Sequence, residues 1–249
     1  MGSSLVYLVT ILLCINYAKS EVRFEIINTE PGTIWIGIQG NHGHPHLSGG
    51  GFILNRGQRK TVRAPDNWAG RFWARTWCDS RSKHCLTGDC GNKLECHGAG
   101  GVPPVTLVEI ALKQWAGLDY YDISLVDGYN VRAFIEPVGG HRNEVLGGHY
   151  SCTRAKCLSD VNARCPEVLK VKHQGRTISC NSACNKFNTD QYCCRGRFNR
   201  KETCKSRTWP VNYPAYFKKQ CSDAYSYAYD DDKSTFTCKA SHYRIQFGP

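Results

Sequence analysis

Three stretches of the sequence carry carboxyl groups, side chains able to exchange protons with a substrate. Glu109 lies in TLVEIAL, where Val108, Ile110 and Leu112 take the other face of an alternating strand, so its carboxylate points away from an apolar layer. Asp122 and Asp127 stand five residues apart. A regular strand would send them to opposite faces, but Val126-Asp127-Gly128 has the composition of a strand end, where direction can change. Asp230 opens the run Asp230-Asp231-Asp232. Carboxyls held close together repel, so one keeps its proton while another ionises, which is what acid–base attack on a glycosidic bond requires. Acids near strand ends are more often turn caps or members of ion-pair networks, so no single one of these decides the matter.

Other chemistry-bearing residues point to less. His42, His44 and His46 alternate in HGHPH and could face one metal ion, although a polar loop needs no metal to explain them. Arg195 to Arg207 (RGRFNRKETCKSR) is basic enough to meet phosphate or an acidic polymer, yet such runs are ordinarily solvated loops, and nucleic-acid binding is not expected. Tyr225, Tyr227 and Tyr229 alternate just ahead of Asp230, and a ring lining a cleft there could stack on a sugar face. No Asn-x-Ser/Thr sequon is present. No cofactor or metal is expected.

The elements that must position these side chains are short strands. In VRFEIIN, Val22, Phe24 and Ile26 share one face and Arg23 and Glu25 the other. Thr33 to Ile38, RFWART (with Arg71, Trp73 and Arg75 on one face), TLVEIAL, DYYDISLV and the closing HYRIQF read the same way, separated by turns rich in Gly, Pro and Asn. Hydrophobic residues make up 41% of the chain, enough for a real core, and the pattern predicts a mainly β sandwich or barrel. Two segments interrupt it. Cys78 to Cys96 is a short Gly-rich stretch with four cysteines, and Cys152 to Cys221 holds nine cysteines with little alternation, read as a second lobe of short helices and loops.

Residues Leu5 to Ile15 form an uncharged apolar run of signal-peptide length, too short for a comfortable membrane span, although MGSS supplies no basic residue ahead of it. With Ala18-Lys19-Ser20 next, cleavage before Glu21 is expected; the other reading of the run is a buried first strand. Cleavage removes Cys14 and leaves 14 of the 15 cysteines, an even number suited to seven disulfides in an oxidising compartment. Loss of Lys19 takes the formal charge from +11 to +10, so the secreted, soluble monomer should be drawn to acidic surfaces such as cell walls and anionic membranes.

Six stretches, in order, carry a family resemblance: RFWART-x-C, C-x-TGDCG, PP-x-TL-x-E, DYYDISLVDGYN, YCC and AYSYAYDD-x-x-STFTC. Together they resemble thaumatin-like proteins, the pathogenesis-related group 5, across the whole mature chain. The resemblance implies a β-sandwich core of some eleven strands from segments 21–77, 106–151 and 222–249. It adds a small disulfide loop domain at 78–105 and a disulfide-rich second domain at 152–221, after a signal peptide at 1–20. It implies bridges from Cys78 to Cys85, Cys90 to Cys96, Cys152 to Cys238, Cys157 to Cys221, Cys165 to Cys180, Cys184 to Cys193 and Cys194 to Cys204. Most members have an eighth bridge, whose two positions are Glu30 and Gly248 here. Their joint replacement predicts looser termini held by strand pairing, without a tie that would contribute on the order of 4 to 5 kcal/mol in the chain-entropy model.

The resemblance also implies an acidic cleft between the first two domains, built from Arg71, Glu109, Asp122, Asp127 and Asp230. In the family this cleft is linked to binding β-1,3-glucans of fungal walls, which some members hydrolyse weakly and others do not. With Glu109 as general acid and Asp127 as the second carboxylate, Asp122 and Asp230 would shape the field or bind sugar hydroxyls, and Arg71 would hold one acid ionised. The expectation is a secreted antifungal defence protein that binds β-1,3-glucan or another wall polysaccharide, with possible endo-β-1,3-glucanase activity. The competing expectations are a protein that permeabilises membranes by basic charge and an inhibitor of secreted hydrolases.

Overall fold

The structure, a computed structural model, describes residues 21–141 and 148–249, so the expected signal peptide lies outside the described residues. The strands run β1 (Glu21–Asn28), β2 (Ile34–Gly40), β3 (Gly51–Leu54), β4 (Arg59–Pro65), β5 (Ala69–Cys78), β6 (Cys85–Thr87) and β7 (Leu107–Ala111). Then follow β8 (Asp119–Ser124), β9 (Ala133–Pro137), β10 (Ala155–Cys157), β11 (Lys170–His173), β12 (Arg176–Cys180), β13 (Phe236–Cys238) and β14 (His242–Phe247). Three short helices lie in the cysteine-rich region: α1 (Val161–Arg164), α2 (Ala183–Phe187) and α3 (Tyr213–Gln220).

Period-two alternation makes the sandwich. Val22, Phe24 and Ile26 of β1 and Tyr243, Ile245 and Phe247 of β14 all turn inward and are buried. They belong to a five-stranded sheet of order β10-β9-β14-β1-β4. The facing seven-stranded sheet runs β13-β8-β7-β5-β2-β3, with β6 paired onto β5. Between the sheets, Phe24, Trp68 and Phe72 stack with ring centroids 5.0 to 5.6 Å apart, and Val108, Ile110, Leu112 and Ile123 fill the same core. The face opposite Glu109 on β7 is therefore the core face, as its spacing predicts. Asp119 is buried near the other end of the sheet, where its carboxylate accepts hydrogen bonds from the Tyr243 hydroxyl at 2.6 Å, Lys113 N at 2.9 Å and Ala240 N at 3.2 Å.

The outer face of β5 carries a second layer. Trp73 is fully buried there with its indole N–H on the Gly88 carbonyl at 2.8 Å, and its ring occupies the space a Cβ at Gly37 would need, 2.1 Å away. Arg75 is also fully buried and donates to the Ile36, Lys93 and Leu94 carbonyls at 2.6 to 2.9 Å. Burial pushes this guanidinium down to about 10. Arg75 thus ties the loop at residues 93 and 94 to the sheet, rather than presenting its charge beside Arg71.

All seven disulfides form with the implied pairing, including Cys184–Cys193 and Cys194–Cys204, whose adjacent members bond different partners. Between 152 and 221 the expected short helices are present, capped by Asp160, Ser182 and Asn212. They are joined by a β11–β12 hairpin and by β10, which pairs with β9 of the five-stranded sheet. The lobe's own cluster is thin, Ala183, Cys194, Cys204 and Trp209 with half-buried aromatics around them, so its bridges restrict what little packing alone would not hold. Glu30 and Gly248 are neighbours: a Cβ on Gly248 would meet Glu30 N at 2.4 Å. In place of a covalent tie, β1 and β14 pair in parallel from Arg23↔His242 to Asn28↔Phe247, and Thr29 N donates to the Phe247 carbonyl at 2.8 Å. Among the described residues no helix is long and apolar enough to cross a membrane.

Candidate functional site

Strand register sets the site. Arg71 on β5 lies directly opposite Glu109 on β7, and Glu109 lies directly opposite Asp122 on β8, so the three form one row across the outer face of the seven-stranded sheet. Directly opposed residues carry their Cβ atoms about 4.5 to 5.5 Å apart, close enough for each charge to feel the next. Asp127 joins the row because β8 ends at Ser124 and the chain turns, with Gly128 N on the Leu125 carbonyl at 2.9 Å. A strand end, as its composition predicts, brings together two acids that a continuous strand would have separated.

These four residues line a cleft of about 350 Å³ with Ser124, Val126, Tyr225 and Ala228. The sheet forms its floor. The far wall is the 225–228 segment, held to β8 by hydrogen bonds of 2.8 Å from Leu125 N to the Tyr225 carbonyl and from Tyr225 N to the Ile123 carbonyl.

Charge in the cleft is unbalanced. Arg71 Nε lies 3.5 Å from Glu109 Oε1, an ion pair without a hydrogen bond, and both side chains are about one-third exposed. Burial raises the Glu109 carboxyl; Arg71 works against this and Asp127 adds to it. Burial likewise raises Asp127, opposed by Arg71. Asp122 is held well above the usual carboxyl range, by burial first and by Glu109 second. Its Oδ1 and the Arg71 Nε are both buried with no hydrogen-bond partner in the protein. One cation thus faces three acids, each raised first by burial.

Asp230 does not line the cleft. Its Oδ2 accepts from Ser226 N at 3.0 Å and Ser226 Oγ at 2.7 Å and pairs with Lys218 Nζ at 3.0 Å. Lys218 also donates to the Ala224 carbonyl and the Ser234 hydroxyl, so this pair braces the wall that carries Tyr225. Its neighbour Asp231 reaches closer: it accepts from the Tyr225 hydroxyl at 3.0 Å and contributes to the rise of Asp122. Sequence spacing had no means of choosing between the two. Of the three alternating tyrosines, Tyr225 lines the cleft, while Tyr227 and Tyr229 pack on the lobe's aromatic cluster. In HGHPH, the ring of His46 accepts from Gly40 N at 3.1 Å, which gives it a structural bond.

A thaumatin-family model matches residues 28–249 of the chain. Pathogenesis-related protein 5 of Arabidopsis thaliana is 47% identical over 250 residues, covering 99% of this chain and 98% of the relative. Thaumatin-like protein 1a of Malus domestica is 44% identical over 233 residues, covering 91% of this chain and 90% of that one. Among solved structures, a GH family 64 laminaripentaose-producing β-1,3-glucanase from Paenibacillus barengoltzii, complexed with laminarihexaose, matches with a TM-score of 0.51 at 12% identity, covering 100% of this chain and 81% of that chain. That likeness is one of fold alone. With the sandwich, the seven bridges and these near full-length relatives in agreement, the chain belongs to the thaumatin family.

Proposed function

We propose that this protein is a secreted defence protein that binds β-1,3-glucan of fungal walls in the cleft formed by Arg71, Glu109, Asp122 and Asp127. The seven disulfides accord with an oxidising, extracellular setting. The observation that carries the reading is the row itself: three acids and one arginine share an open cleft, with buried polar atoms on Arg71 and Asp122 left unpartnered by the protein. A polyhydroxylated neutral ligand supplies donors to carboxylates and acceptors to a guanidinium at once. Tyr225 adds an aromatic edge for a sugar face.

Weak endo-hydrolysis is the further step of this reading. Glu109, raised by burial and by Asp127, would hold the proton for the departing glycosidic oxygen, with Asp127 as base or nucleophile. Asp230 would serve by holding the Tyr225 wall.

Release of reducing ends from soluble β-1,3-glucan by wild type and by Glu109→Gln tests the chemistry, and no release by clean wild-type protein would sink it. Pull-down on insoluble glucan after Arg71 and Asp127 are neutralised tests the binding. Undiminished pull-down would remove the cleft from the account, and salt-sensitive leakage from anionic vesicles without glucan binding would favour permeabilisation instead.

A further inference from the structure

A second concavity opens on the other side of the 126–131 segment. Val126 and Asp127 line the acidic cleft, whereas Asn130 and Val131 line this groove of about 560 Å³. Between them Tyr129 is pinned to β12 by a reciprocal pair of backbone hydrogen bonds with Cys180, at 2.8 and 2.7 Å. Arg71 and Trp77 stand six residues apart on β5, roughly 20 Å along the strand, and the two openings share no lining residue, so they are distinct sites.

Three features mark the groove. Its floor is apolar, formed by Ile34, Val131 and Ile178. At its edge stands Trp77, 48% exposed, with a backbone φ of 57°. A bulky side chain in the left-handed region is rare, and here it accompanies a half-exposed indole with the His173 ring beside it, 6.0 Å between centroids. Polar groups complete the lining. Among the described residues, the side chains of Glu30, Arg176 and Thr177 make no hydrogen bond in the protein, and Asn162 Oδ1 is buried without a donor. Glu30 and Arg176 are the two charged residues of the lining, and their formal charges cancel.

We infer that this groove binds a neutral oligosaccharide, with one sugar ring against the Trp77 indole. An aromatic plate beside an apolar floor suits the C–H face of a pyranose, and hydroxyl, amide, carboxyl and guanidinium groups suit its rim of hydroxyls. Burial raises the Glu30 carboxyl against the pull of Arg132. The inference stands apart from the cleft, since none of its residues lines the cleft.

The test uses the secreted protein carrying Asp127→Asn, so that cleft binding is impaired, titrated calorimetrically with laminarihexaose, cellohexaose and a free high-mannose glycan. The first two represent wall polysaccharide and the third a glycoprotein source. Saturable binding of at least one is expected, weakened about tenfold by adding Trp77→Ala and retained with Trp77→Phe. Trp77 is exposed, and circular dichroism checks that each variant is folded. No saturable binding by the Asp127→Asn protein, or binding that Trp77→Ala leaves unchanged, would overturn the inference. Binding of wild type that Asp127→Asn leaves unchanged would count against the cleft alone.

Discussion

Replacing Asp122 by Asn should stabilise the protein at neutral pH. Asp122 is the acid most strongly displaced upward, by burial and by Glu109 opposite it, and its Oδ1 has no donor. A carboxyl whose folded pKa lies above its unfolded value is bound to its proton more tightly in the native state. Its effect on stability is therefore absent below the ordinary Asp value of about 4 and becomes a cost as pH rises through the window up to the folded pKa. Asn has the same shape and no charge to desolvate, and it can turn its N–H toward Glu109. A buried charge without a full set of partners commonly costs several kcal/mol, and partial exposure of the cleft reduces this, so a gain of about 1 to 3 kcal/mol at pH 7 is expected. For a chain of this size that is a rise in Tm of roughly 2 to 12 °C. Calorimetric scans of both proteins with disulfides intact, at pH 3 and pH 7, measure it. The two curves should nearly coincide at pH 3 and separate at pH 7. A variant that is less stable at pH 7, or a gap that does not change with pH, would refute the electrostatic reading of the row.

Three further outcomes are expected. On the proposal that the cleft hydrolyses glucan, kcat/KM should show a bell-shaped pH dependence, rising as Asp127 ionises and falling as Glu109 loses its proton; because both are raised, the bell should lie above pH of about 4, and a profile that climbs steadily into alkali would exclude Glu109 as the acid. Tyr243→Phe removes one of three donors to the buried Asp119 carboxylate and should cost about 1.5 to 3 kcal/mol in denaturant unfolding, with no change in glucan binding. Gly37→Ala would place a Cβ inside the Trp73 ring and should destabilise by about 1 to 3 kcal/mol, read as an earlier denaturation midpoint at unchanged slope.

Much of the scaffold is written in local alternation. Val22, Phe24 and Ile26 announce an inward face, and Val108, Ile110 and Leu112 place Glu109 outward before any partner strand is known. The break at Val126-Asp127-Gly128 is equally local, and it is what returns Asp127 to the side of Asp122. What spacing does not encode is which strand lies beside which. Arg71 and Arg75 alternate on one face of β5, yet one lines the cleft and the other is sealed, because the carbonyls of residues 93 and 94 join that of Ile36 to cover it. Asp230 and Asp231 differ for a similar reason: Lys218, twelve residues upstream, captures the first, and Tyr225 the second. The β11–β12 hairpin was hidden by its own sequence, since KVKH and RTISC are short, with little apolar alternation to betray them.

The parallel pairing of β1 with β14 has a consequence for how the protein is made. These strands are the first and last of the described chain, and both lie inside the five-stranded sheet, with β4 and β9 on their outer sides. Until His242–Phe247 emerges, β1 has only β4 to pair with, and Phe24 and Ile26 lack the apolar cover of Tyr243 and Ile245. A growing chain therefore cannot close its core segment by segment. Such a chain gathers disulfide-forming cysteines while its central sheet is still open, and the ordering of oxidation against synthesis becomes part of its folding problem. Loss of His242–Phe247 would remove an inner strand of the sheet.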